Sequence, residues 1–90
     1  MRPRATTDVS IDRLIAQYID ADGRDAAEAR LRDHGYAVWA LIGDLLYPGS
    51  TPEQIAHEYR LPMAAVEAAW IYYFRHRAAL DRRLAENRAT

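Results

Sequence analysis

Cysteine and lysine are both missing from this 90-residue chain. Without cysteine there is no disulfide framework and no thiolate metal site, which fits an expected cytoplasmic setting. Without lysine, all 12 basic residues are arginine. Together with the abundant alanine, this reads as a GC-rich coding sequence rather than selection for arginine's forked hydrogen bonding. No apolar run approaches the roughly 20 residues of a membrane span, so no membrane association is expected. Met1-Arg2-Pro3-Arg4 has no apolar stretch behind it and does not read as a signal peptide. Glycine and proline number four each, so helix breakers are few and their positions informative.

The groups needed for most chemistry are also missing. His34, His57 and His76 lack metal-ligand spacing. There is no glycine-rich phosphate loop. Asp20, Asp22 and Asp25 gather around Gly23, yet no bidentate Glu follows at the distance a calcium loop requires. Ser10 and Thr51 are better explained as helix caps than as nucleophiles. We expect no enzyme activity, no metal, no cofactor and no small-molecule substrate.

Half the residues are hydrophobic, enough for one small domain. Ile11, Leu14, Ile15, Tyr18 and Ile19 repeat at helical spacing, which predicts an amphipathic helix capped by Asp8 or Ser10 and ended at Ala21-Asp22-Gly23. Asp25 to Asp33 predicts a short, exposed helix. Tyr36 to Tyr47 predicts a buried helix, with a strand over Tyr36–Trp39 as the minor alternative. Pro48-Gly49-Ser50 is a turn. Thr51-Pro52-Glu53-Gln54 reads as a capping box that starts a short helix to about Tyr59. From Pro62 nothing breaks the last helix until about Asn87. The expected layout is a single domain over 1–90. A flexible basic arm covers 1–9, an N-terminal helical segment 10–34, a tri-helical core 36–74 and a helical extension 75–90.

The most specific pattern lies in residues 52–69. Ile55, Ala56, Tyr59, Leu61, Val66 and Ala69 carry the apolar spacing of a helix-turn-helix unit, with Ala56 small where two helices cross closely. That unit names DNA reading as a function to be tested. The base-facing positions would be Pro62, Met63, Ala64, Glu67, Ala68 and Ile71, and none is the Arg, Lys, Asn or Gln that reads bases in the major groove. Ala64 and Glu67 remain candidate base contacts, and Arg2, Arg4, Arg75 and Arg82 candidate phosphate contacts. The opposing reading is a helix-turn-helix used only as a packing scaffold. Charge does not favour DNA either. The net charge is −1, with +2 in residues 1–7, −3 in 8–33, −3 in 44–67 and +3 in 75–88.

In the long last helix, Met63, Val66, Trp70, Tyr73, Arg77, Leu80 and Leu84 form a heptad-like seam widened by Phe74. Beyond about Phe74 that seam outruns the small core. Leu80 and Leu84 then need the N-terminal helix, a second copy or another protein to pack on. Trp70, Tyr73 and Phe74 read as core. Tyr72 points the other way, onto a small-residue face edged by Arg75 and Arg83. Candidate interface residues are therefore Tyr72, Arg75, Leu80, Arg83 and Leu84.

Tyr36-Ala37-Val38-Trp39-Ala40-Leu41-Ile42-Gly43, then Tyr59-Arg60-Leu61-Pro62 with Ala65-Val66-Glu67-Ala68-Ala69, resemble a bacterial family filed as domain of unknown function, group 433. The trailing Tyr72-Tyr73-Phe74-Arg75-His76-Arg77 and Leu80-Asp81 are similar as well, so the resemblance covers roughly 34–87. It implies a homeodomain-like helix-turn-helix protein, all-α, with an N-terminal amphipathic helix and a long C-terminal helix. The paired strands that often open the family are not evident here. The resemblance also implies an antitoxin role beside a nuclease-like toxin of PIN-type fold. The expected partners are a second copy, a cognate toxin and, as a complex, operator DNA. The alternatives are a stand-alone DNA-binding transcription regulator and a structural dimerisation module.

Overall fold

The computed structural model describes residues 3–89, with side chains from 9 to 88. Five α-helices and one minimal strand pair make up the described chain: α1 (Pro3–Tyr18), β1 (Ile19–Asp20), a 3₁₀ turn (Ala26–Glu28), β2 (Arg30–Leu31), α2 (Val38–Leu46), α3 (Pro52–Tyr59), α4 (Met63–Arg75) and α5 (Arg77–Ala89). The mostly helical expectation holds.

The α3–α4 junction follows local chemistry. Thr51 Oγ1 accepts from the Gln54 amide at 3.1 Å and Pro52 opens α3, so two orphan N–H groups are accounted for. Arg60 ends the helix in the left-handed region, at φ 57°. The Leu61 amide then reaches back to the Ala56 carbonyl at 2.9 Å and the Arg60 amide to His57 at 3.2 Å. This is the Schellman pattern, normally built on glycine. It turns Leu61 inward, where Leu61, Ile55 and Val66 are buried together with Ala56. Tyr59 stays half-buried at the edge of the same core.

Residues 19–37 depart from expectation. The helix predicted over 25–33 is only a 3₁₀ turn. Paired strands, not evident in the sequence, are present in miniature: Ile19 faces Leu31 and Asp20 faces Arg30, antiparallel, with a further bridge from Arg30 to Ala37. Backbone amides explain the difference. Arg32 donates to the Tyr18 carbonyl at 2.8 Å, Leu31 to Tyr36 at 2.7 Å and Val38 to Ala29 at 2.9 Å. Those bonds satisfy the backbone without a helix and hold Ala29 and Leu31 in the core, where both are fully buried. The minor strand reading at Tyr36–Trp39 is half right, since Ala37 bridges and α2 starts at Val38.

The last helix is also not continuous. His76 has φ −130°, ψ 38°, and separates α4 from α5. The chain bends so that α5 packs on α2 and on the 3₁₀ turn. Leu80 is fully buried there and Leu84 nearly so. A Cβ on Gly43 of α2 would meet Leu84 Cδ2 at 3.2 Å, so the glycine permits the close approach of α2 and α5. Neither leucine waits for another chain.

α1 begins at Pro3, seven residues before the expected start at Ser10. It packs mainly on α4 through half-buried Leu14, Ile15 and Tyr18.

Candidate partner-binding site

α4 sits between α1 on one flank and α2 and α3 on the other. Its inward residues Ala65, Val66, Ala68, Ala69, Tyr72 and Tyr73 are buried. What remains open is a stripe at helical spacing. Met63, Trp70 and Ile71 are half-buried, while Glu67 and Phe74 are exposed. Trp70 and Phe74 meet edge to face at 5.1 Å, and the Arg77 guanidinium lies 5.8 Å from the Phe74 ring. The aromatic group is thus held in place by contacts within the chain.

A second open surface lies at the other end of α2. Leu46 is 46% and Tyr47 72% exposed. They border a groove of about 580 Å³ shared with Trp39, Gly43, Tyr59 and Leu84. Tyr59 donates its phenol proton to Asp44 Oδ2, and Tyr36 meets the Tyr59 ring edge to face at 4.9 Å. Burial, and then the Asp44 carboxylate, hold the Tyr59 phenol protonated well above the ordinary tyrosine range.

The sequence-predicted sites fall out unevenly. Arg2 lies outside the described residues, as does the side chain of Arg4. Ala68, expected to face bases, is fully buried, because α4 is covered on that flank. Ala64 is half-buried and Glu67 exposed. Arg75 makes an ion pair with Asp12 of α1 at 2.5 Å. Arg82 does not continue Arg75's stripe, because the break at His76 puts it on a different helix beside Asp25 and Glu28.

Tyr72, expected on an exposed face, is 4% exposed. Its hydroxyl donates to the Ala26 carbonyl at 3.3 Å and its ring lies against His76. Phe74, expected in the core, is 53% exposed. Arg83 is held within the chain by Glu28 at 3.2 Å and by the Trp39 ring at 4.2 Å. Leu80 and Leu84 are core residues. Tyr72, Leu80 and Leu84 therefore offer no open interface.

Sequence reasoning missed Leu46 and Tyr47. The signal was their position in the last turn before Pro48-Gly49, where a helix must leave the core. Among the described residues no cluster of His, Asp or Glu could hold a metal ion, and no helix is long and apolar enough to cross a membrane.

The fold defines a small helical protein with large apolar side chains open on α4 and at the end of α2. The chain belongs to a protein family of unknown function, DUF433, whose profile matches residues 26–73. That match spans the 3₁₀ turn, β2, α2, α3 and nearly all of α4, and leaves α1 and α5 outside it. No curated protein and no solved structure matches the chain.

Proposed function

We propose that this chain is an antitoxin-like protein that acts by binding another protein, a nuclease-like toxin of PIN-type fold, and that α3 and α4 form a helix-turn-helix unit used as a scaffold. One observation carries the preference for protein over DNA. From Pro62 to Ile71 the residues that α4 presents outward are Met63, Ala64, Glu67, Trp70 and Ile71, with no Arg, Lys, Asn or Gln among them. Base edges are read by those four residue types. Instead, this chain exposes large apolar side chains, which are costly to leave wet and which mark protein contacts. Resemblance to the family supplies the class of partner.

The partner's place is the groove at the end of α2. Tyr47 and Leu46 project beside it, next to the Trp39 ring and the Tyr59 hydroxyl. An exposed tyrosine over a groove that mixes Trp39, Leu46 and Tyr59 with Asp44, Asn87 and Arg88 fits the composition of a binding hot spot.

Co-expression tests this reading. The protein should relieve the toxicity of a PIN-type nuclease encoded beside it. Tyr47→Asp and Leu46→Asp should weaken the purified complex by roughly thirtyfold or more while leaving the helical circular dichroism unchanged. The reading fails if both variants protect as well as the wild type, or if the protein alone binds promoter DNA with a steep salt dependence.

A further inference from the structure

The open side of α4 contains one row that is complementary to itself. Met63, Glu67, Ile71 and Arg75 follow one another at four-residue intervals, and each is exposed or half-buried. Rows of this kind are the ridges by which helices interdigitate, and pairing such rows from two helices is the commonest packing in globular proteins. Here the row carries opposite charges four residues either side of an isoleucine. Turned antiparallel about Ile71, a second copy sets its Arg75 against Glu67 and its Glu67 against Arg75, with the isoleucines touching at the axis.

We propose that two copies of this chain associate about a two-fold axis through Ile71 of α4, joined by reciprocal Glu67–Arg75 pairs. A two-fold contact must be self-complementary, residue i meeting j while j meets i, and this row satisfies that condition.

The surroundings favour the second copy over another occupant. Glu67 has no ion pair or hydrogen bond within its own chain, among the described residues. It is a lone acid in an otherwise apolar stripe, so it calls for a cation from outside, and the two-fold delivers one. Arg75 already holds Asp12, at 2.5 Å. A guanidinium has five N–H donors, so the same arginine can bridge Asp12 and the incoming Glu67. Phe74 flanks the row and, at 53% exposed, has apolar surface still to bury. The groove at the end of α2 is untouched by this pairing. The inference stands whether or not the toxin-binding reading does.

Sedimentation equilibrium of the full chain across micromolar concentrations tests it. The wild type should be a dimer. Glu67→Arg and Arg75→Glu should each raise the dissociation constant roughly tenfold or more, because every reversal places two like-charge pairs across the axis. The double variant E67R/R75E should recover dimerisation to within a few-fold of wild type. Since Arg75→Glu also sets a carboxylate against Asp12, each variant is checked by thermal melting. If R75E does not fold, E67R and Phe74→Ala decide, since both residues are exposed, and both should be folded with weakened association. A wild type that stays monomeric at every concentration overturns the proposal. So does a dimer indifferent to Glu67→Arg, or a folded double variant that remains monomeric.

Discussion

α4 is bounded by two breaks, and they are made in different ways. At its start, the chain leaves α3 through Arg60-Leu61-Pro62. Every feature there is local: a left-handed residue, two short back-bonds to the preceding turn, and a proline that cannot continue the helix. At its end, His76 breaks the helix with no proline, glycine or asparagine to help. The neighbouring sequence, Tyr-Phe-Arg-His-Arg-Ala-Ala, would run as helix in isolation. The second break is imposed from a distance, by the burial of Leu80 and Leu84 against α2 and the 3₁₀ turn. A local break survives the loss of distant contacts; an imposed one should not.

Three changes sharpen that contrast, in descending size. Leu80→Ala removes a fully buried side chain at the imposed break. We expect a loss of about 2–5 kcal/mol in urea unfolding, with amide exchange in α5 accelerating before that in α3. Thr51→Ala removes the cap of the locally specified helix. It should cost about 1 kcal/mol and leave α5 protected. Arg60→Gly should act in the opposite direction, because glycine adopts φ 57° without the Cβ penalty. We expect a gain of about 0.5–1 kcal/mol, read as a higher melting temperature with unchanged helix content.

The same contrast explains how much could be read beforehand. The Thr51 cap, the turn at Arg60-Leu61 and the buried set Ile55, Ala56, Leu61 and Val66 were legible because each is fixed by residues within one or two turns. The Ile19–Leu31 strand pair was not, because it pairs residues 10 and 12 apart and its two-residue strands are too short to show an alternating pattern. The fold-back of α5 was not, because Leu80 and Leu84 are buried against α2 and the 3₁₀ turn, more than 30 residues away in sequence, with Gly43 permitting the close approach. The candidate sites suffered from the second gap. Reading 63–87 as one rod put Leu80 and Leu84 on open surface and Phe74 inside. In the bent chain their places are exchanged, and the open apolar surface moves to α4 and to Leu46-Tyr47.

That exchange is the claim on which both interaction surfaces depend. Proton nuclear magnetic resonance tests it directly, through nuclear Overhauser contacts between the Leu84 methyl groups and the Gly43 α-protons. Strong cross-peaks are expected there, together with an interruption of the helical connectivity at His76. No contact between Leu84 and Gly43, with helical connectivity running unbroken from Met63 to Asn87, would contradict it and return Leu80 and Leu84 to the surface as the place where partners bind.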